Sequence, residues 1–419
     1  MSGTTPSPPP LKWTTLASHR AWLLAEADGL LSFFDRRAID PRGGFHDLDV
    51  EGRPLSPDVT GDGGHPLHQT TRMVHCFAIA SLLGRPGADT MMDHGMEFLW
   101  NRHRDAAGGG YFWSVGVDGP VDDRKQAYGH AFVLLAAASA RVAGHPDADR
   151  LLQDVATVLQ ERFWEDGPGA SAEEFTRDWR PFDRYRGQNS NMHLTEALMA
   201  AYEATGETSF LTMAGRIASL IVGRHAAGNG WRLPEHFTDR WDQDRSYRGS
   251  PMFRPYGTTP GHWLEWSRLL VQLWGLEGRR QDWMPDAARA LFEKAVAEAW
   301  DPAGGFYYTL DWDGTPLIRD RYWWPCCEGI GAAAVLGAID GAPLYEHWYR
   351  RIWNFVAARL IDHEHGGWHP QLDDRLRPGN DPFYGKPDLY HALQATLIPL
   401  LPADGSITRG LSRTGIHIG

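Results

Sequence analysis

Apolar residues recur at three- and four-residue spacing in twelve stretches of the chain, and the stretches alternate in character. One set begins near residues 16, 89, 147, 208, 285 and 344 and keeps a charged face, as in Arg289, Glu293, Lys294 and Glu298. The other begins near residues 68, 126, 191, 260, 326 and 387 and is almost free of charge after its first turn, as over 132–140 and 329–339. A helix with one polar stripe lies at a surface, and a helix that is apolar all round is buried. The pattern therefore predicts six outer and six inner helices. Between outer and inner members stand Gly43-Gly44-Phe45, Gly109-Gly110-Tyr111, Gly228-Asn229-Gly230-Trp231, Gly304-Gly305-Phe306 and Gly366-Gly367-Trp368. Glycine pairs permit positive φ and the aromatic opens a short extended segment. Only a degenerate copy, Gly167-Pro168-Gly169, falls in the third repeat. An open solenoid would need polar capping repeats, but the last inner stretch, 389–401, is as apolar as the others. The expected fold is all-α: an (α/α)6 barrel of six helical hairpins with short β excursions in the loops.

Each inner stretch opens with a polar side chain capable of chemistry: Arg72, Tyr128, His193, His262, Glu328 and His391, at gaps of 56, 65, 69, 66 and 63 residues. In a closed ring, six helix beginnings meet at one mouth and gather these six groups into a single site.

Composition narrows the partners. The chain has 41 Lys plus Arg against 53 Asp plus Glu, a net charge of -12, and no basic block, which argues against nucleic acid and anionic membranes as partners. Its longest apolar run, 131–140, is well short of the roughly 20 residues a membrane span needs. No basic start followed by an apolar core marks a secretory signal, so a cytoplasmic protein is expected, either a monomer or a small homo-oligomer. Composition is even between a Pro- and Ser-rich start and the end of the last helix. We therefore read residues 1–12 as a tail, 13–403 as one catalytic barrel and 404–419 as a C-terminal tail. The three cysteines, Cys76, Cys326 and Cys327, are expected to be reduced and structural. The 19 Trp, 19 His and 13 Tyr suit a concave surface that stacks on sugar C–H faces and bonds hydroxyls.

The strongest local motif is Thr259-Pro260-Gly261-His262-Trp263-Leu264-Glu265-Trp266. Its i, i+3 spacing puts Glu265 within reach of His262, and a carboxylate beside an imidazole fixes its tautomer for proton transfer. Asn189-Ser190-Asn191-Met192-His193-Leu194-Thr195-Glu196 repeats the His-x-x-Glu arrangement. Bundle di-metal sites run Glu before His and add inward carboxylates, so no metal and no other cofactor is expected. Arg72 is a cation on an apolar helix, where burial calls for an anionic partner or a developing oxyanion. A barrel glycoside hydrolase would need paired carboxylates, for which loop residues Asp183 and Glu235 are the candidates, but histidines dominate the inner helices.

At these motifs the chain resembles the N-acylglucosamine 2-epimerase superfamily, from about residue 16 to 402. The resemblance rests on Thr70-Thr71-Arg72, Asn189-x-Asn191-Met192-His193-x-x-Glu196, Pro260-Gly261-His262-x-x-Glu265-Trp266, Trp323-Trp324-Pro325-x-x-Glu328 and Tyr390-His391. It implies that His262 and His391 are the acid/base pair and that Glu265 supports His262. It further implies that Arg72, Tyr128, Asn189, His193, Arg254, Trp323, Trp324, Glu328, Lys386 and Asp388 contact the sugar substrate. Within the superfamily, the motifs look closest to the mannose and sulfoquinovose isomerases. The 2-epimerases tend to carry a stacking tryptophan before the final His motif, where this chain has Phe383, Tyr384 and Lys386. The activity implied is aldose–ketose isomerisation through a cis-enediol, D-mannose with D-fructose first and D-lyxose with D-xylulose second. The alternatives are 2-epimerisation of the cellobiose or N-acylglucosamine type, and sulfoquinovose isomerisation.

Overall fold

A computed structural model describes residues 11–55, 64–379, 381–386 and 389–418. The inner helices are α2 (Leu67–Leu82), α4 (Ala127–Val142), α6 (Gln188–Thr205), α8 (Pro260–Leu276), α10 (Trp323–Ile339) and α12 (Leu389–Leu397). The outer helices are α1 (Ala17–Phe34), α3 (Ala88–Phe98), α5 (Ala148–Val158), α7 (Thr208–Ala218), α9 (Trp283–Glu298) and α11 (Pro343–Phe355). Each inner helix packs on the next, and α12 returns to α2, so the ring closes as an (α/α)6 barrel. The buried apolar residues of both rings form one core. Among the described residues no helix is long and apolar enough to cross a membrane.

The hairpins are phased differently from the expectation. Tight packing joins each inner helix to the outer helix that follows it, α2 to α3 through α10 to α11, while α1 packs on α12 and completes the ring. The physical reason is connection length: a few residues link inner to outer, which forces antiparallel neighbours, whereas the long outer-to-inner connections cross the mouth. Those connections hold the short strands. The pair of residues ahead of an inner helix bonds to the following connection, as in His65–Pro66 with Ser114–Val115, Lys125–Gln126 with Glu174–Phe175, and Arg186–Gly187 with His236–Phe237. Thr258 with Leu310, Arg321–Tyr322 with Gln371–Leu372, and Lys386 with Leu48 complete a belt around the rim. The third connection has its own excursion after all: Trp164–Glu165 pairs with Ala170–Ser171 around Gly169, whose φ is 74°.

The belt is pinned electrostatically. An acidic residue ending an outer helix meets a basic one entering the next inner helix: Asp40 with His65 at 3.3 Å, Asp105 with Lys125 at 3.1 Å, Asp301 with Arg321 at 2.7 Å, and likewise Glu165 with Arg186 and Asp362 with Lys386. This corrects the reading of Lys386 as a substrate contact. Its ammonium is buried against Asp362 and its N–H bonds Leu48 O, so its role in the described structure is to hold the rim. Asp388 lies outside the described residues, as do residues 1–10 of the expected N-terminal tail. Residues 11 and 12 are tied to the barrel, Lys12 Nζ donating to Gly337 O at 2.7 Å. The segment expected as a C-terminal tail contains α13 (Ile407–Thr414), which packs on α2, α4 and α6.

Three histidines in this framework are buried and work only as neutral rings. His130 donates through Nδ1 to Gln126 O at 2.7 Å and accepts the Tyr111 N–H at 3.0 Å, which fixes the second glycine-rich turn. Burial lowers His130 and His103 to about 3 and His75 to about 4. Because these folded values lie below the unfolded 6.5, their contribution to stability is complete above pH 6.5 and is lost as pH falls from there toward 4. The melting temperature should therefore drop steadily between about pH 6.5 and 5, before most carboxylates titrate. A flat profile across that window would contradict the assignment.

Candidate active site

Because the belt fixes where each inner helix starts, the first two turns of α8, α10 and α12 place His262, Trp324 with Glu328, and His391 at one mouth. Pro260, with its preset φ and missing N–H, opens α8 two residues before His262. The His262 Nδ1 lies 2.9 Å from Glu235 Oε2. A carboxylate can only accept, so this contact calls for the proton on Nδ1, while the amide donor Gln188 Nε2 lies 2.8 Å from the same nitrogen. Glu235 is itself held: Oε1 accepts the Thr259 N–H at 3.1 Å, and Gln188 Nε2 donates to Oε2 at 2.8 Å. Trp266 Nε1 donates to Gln188 Oε1 at 2.8 Å and sets the orientation of that amide.

His391 is built the same way. Its Nδ1 donates to Glu328 Oε1 at 2.9 Å, and Glu328 Oε2 accepts from Arg268 Nε at 3.1 Å. The Trp324 ring lies against both imidazoles, with centroids 5.1 Å from His262 and 5.7 Å from His391. Trp323 meets His391 edge-on at 6.3 Å and is braced by Phe383 at 5.0 Å. Two imidazoles, each with its Nδ1 against a carboxylate, therefore flank one indole.

A different carboxylate from the expected one serves His262. Glu265 sits one turn deeper on α8, where Oε1 is 3.6 Å from Arg268 and 3.5 Å from His193 Nδ1. Helical spacing brought Glu265 to the same face as His262, but His262 is in the first turn and reaches up to the rim loop. Burial, reinforced by the charge of Glu328 and opposed by Arg268, pushes Glu265 well above the usual carboxylate range and so favours its neutral form. Glu235, considered in sequence only as a hydrolase carboxylate, is the partner of His262.

Beneath the histidines lies a group that the sequence reading missed. Arg268, 1% exposed, reaches Glu328 at 3.1 Å, Glu196 at 3.4 Å and Gln272 at 3.1 Å. Tyr390 donates its hydroxyl to Glu196. Although burial raises Glu196 and Glu328, contacts with His193 and Arg268 for the first, and with Arg268 and His391 for the second, hold both below the usual range. The signal was available: Arg268 breaks an apolar helix three residues after Glu265, the same kind of anomaly that singled out Arg72. His193, Glu196 and Glu265 each bring a donor atom within 4.8 Å of the others, a spacing that could serve a metal. The Arg268 guanidinium lies beside both carboxylates and supplies the positive charge there.

On the opposite wall Arg72 donates to Tyr128 Oη at 2.8 Å and lies 4.4 Å over Phe132 and 4.8 Å over Tyr390. His193 packs edge-on to Tyr128 at 5.2 Å, and burial lowers it to about 4, so it is neutral. Asn189 donates to Phe253 O at 3.4 Å and lines a cavity of about 230 Å³ beside this wall. Arg254 lines the same cavity, its guanidinium shared by Glu173 and Glu174. All three cysteines are buried thiols outside any disulfide, and burial pushes the Cys326 thiol up to about 12, which removes it as a nucleophile.

If His262 draws its tautomer from Glu235, Glu235→Gln removes the carboxylate that outweighs the Gln188 amide donor at Nδ1 and moves the ring proton to Nε2. Turnover should then fall about 100-fold with KM nearly unchanged, and Glu235→Asp should recover part of it. Glu265→Gln, replacing one neutral group by another, should cost far less. Steady-state kinetics of the three variants decide this, and equal losses in Glu235→Gln and Glu265→Gln would contradict the geometry.

A closed (α/α)6 barrel with two carboxylate-backed histidines and a buried guanidinium at one mouth defines a proton-transfer site of the sugar epimerase and isomerase class. The chain belongs to the N-acylglucosamine 2-epimerase (GlcNAc 2-epimerase) family, whose model matches residues 43–395. It is 46% identical over 411 residues to a D-mannose isomerase of Thermobifida fusca, covering 96% of this chain and 99% of that one. It is 43% identical to a D-mannose isomerase of Pseudomonas cannabina pv. alisalensis, covering 96% and 97%. A crystal structure of a D-mannose isomerase, 31% identical, superposes with a TM-score of 0.84 over 90% of this chain and 97% of that one.

Proposed function

We propose that this protein is a D-mannose isomerase, interconverting D-mannose and D-fructose. The observation that carries the reading is the pair of imidazoles, His262 backed by Glu235 and His391 backed by Glu328, against the single Trp324 ring. His262 promotes ring opening by exchanging a proton with the ring oxygen and the anomeric hydroxyl. In the open aldose, His391 Nε2 removes the C2 proton, the C1 carbonyl accepts the electron pair, and a cis-enediol(ate) results. The imidazolium returns the proton to C1 on the same face, the O2 proton passes to O1 by way of His262, and the ketose results with its carbonyl at C2 and a hydroxyl at C1. One base serves both carbons because they share a face in the cis intermediate.

Charge developing on oxygen meets Arg72, whose guanidinium is held by Tyr128 and the faces of Phe132 and Tyr390 and needs no reorganisation. Burial makes that charge count for more than it would in water. D-Lyxose shares the configuration of mannose at C2 and C3, so its conversion to D-xylulose fits the same groups. Phe383 packs on Tyr322 and Trp323 at 5.0 Å. That position braces the wall and does not offer a stacking face for an intermediate that turns over, which favours isomerisation over 2-epimerisation.

The test is to incubate the purified protein with D-mannose in deuterated water and identify products by NMR. The expected product is D-fructose, with any solvent deuterium at C1. Glucose labelled at C2 as the main product would identify a 2-epimerase and overturn the proposal. Prior treatment with a chelator should change nothing, because Arg268 supplies the positive charge beneath the histidines.

A further inference from the structure

The cavity of about 230 Å³ beside the catalytic mouth shares Tyr128 and Asn189 with the site, which makes it the space we assign to the end of the sugar remote from C1 and C2. Two arginines line it, which by itself would suit an anion. Neither is available. Arg254 Nη2 is 3.3 Å from Glu173 Oε1 and 3.2 Å from Glu174 Oε2, with its guanidinium 4.5 Å over the Tyr185 ring. Arg124 donates to the other Glu174 oxygen at 2.7 Å and through Nε to Asp122 at 2.9 Å. Three carboxylates thus oppose two guanidiniums. The second oxygen of Glu173 accepts from Ser190 Oγ at 2.5 Å and from the Gly187 N–H at 3.2 Å, so this carboxylate is anchored by α6 and cannot swing aside. Glu174 is anchored by its strand, where Gln126 pairs with it.

We propose that Glu173 and Glu174 act as a charge filter at the remote end of the substrate, admitting uncharged aldoses and rejecting those with a phosphate or sulfonate at C6. A C6 anion entering this cavity would have to displace a carboxylate from Arg254 or lie against Glu174 uncompensated, and either costs binding. The filter rests on the isomerase reading of the site and adds to it the charge of the accepted substrate.

The test compares kcat/KM for D-mannose and D-mannose 6-phosphate in wild type, in the double variant Glu173→Gln with Glu174→Gln, in Glu174→Gln alone, and in Arg254→Met. Wild type should prefer mannose strongly. The double variant should shrink that preference at least tenfold by releasing both guanidiniums, Glu174→Gln should shrink it less, and Arg254→Met should not shrink it. Purely structural damage lowers both substrates together and leaves the ratio unmoved, and an unmoved ratio in the two Gln variants overturns the proposal. Calorimetric binding of mannose 6-phosphate reads the filter without turnover: a tenfold gain in affinity in the double variant supports it, and no gain there overturns it. Absence of fructose formation from mannose by wild type would instead count against the isomerase reading.

Discussion

His391→Ala should abolish interconversion of mannose and fructose, lowering kcat by about 10³-fold or more while the fold and KM change little. The reasoning is geometric. His391 is the one base whose tautomer is fixed by Glu328, at 2.9 Å, and that carboxylate is in turn fixed by Arg268 at 3.1 Å. Deleting the imidazole removes proton transfer at C2, which no neighbouring group can take over. His193 packs against Tyr128, and Glu265 lies one turn deeper on α8 beside Arg268. Binding should survive because Trp324, Arg72 and Asn189 are untouched. His262→Ala should cost less, since mutarotation in water still supplies open-chain aldose. Residual turnover near the wild-type rate in His391→Ala would sink the assignment.

The second large effect concerns stability. Arg268→Met should destabilise the protein by about 4 kcal/mol, seen as a lower denaturant midpoint, because it leaves Glu196 and Glu328 charged and buried without their shared cation. Fully buried at 1% exposure, the arginine joins α8 to α6 through Glu196 and to α10 through Glu328. Protonation of the two carboxylates would relieve the strain in the variant, so its deficit should narrow as pH is lowered. An unchanged midpoint at pH 7 would show that the network contributes nothing.

The barrel and its mouth were legible in the sequence for a physical reason. Inner helices are apolar all round, so a polar side chain in their first two turns stands out, and the recurrence of Arg72, Tyr128, His193, His262, Glu328 and His391 reports ring geometry directly. Groups that act across the ring were less legible. Glu235 precedes His262 by 27 residues on a rim segment, and nothing local announces that it will bond Nδ1 while Glu265, three residues away, will not. The same blindness affected Lys386 and Arg254. Each is a cation near a motif, and only the fold reveals Asp362 in one case and Glu173 with Glu174 in the other. Hairpin phase was hidden for a related reason: periodicity counts helices but does not say which neighbour a long connection skips. Arg268, by contrast, could have been found by the argument applied to Arg72.

The division of labour between the two histidines is the central claim, and loss of deuterium from C2 of D-[2-²H]mannose tests it most directly. Washout followed by NMR in His262→Ala should persist at a rate limited by the supply of open-chain aldose, whereas His391→Ala should show none. Washout in His391→Ala as fast as in His262→Ala, or faster, would contradict the account.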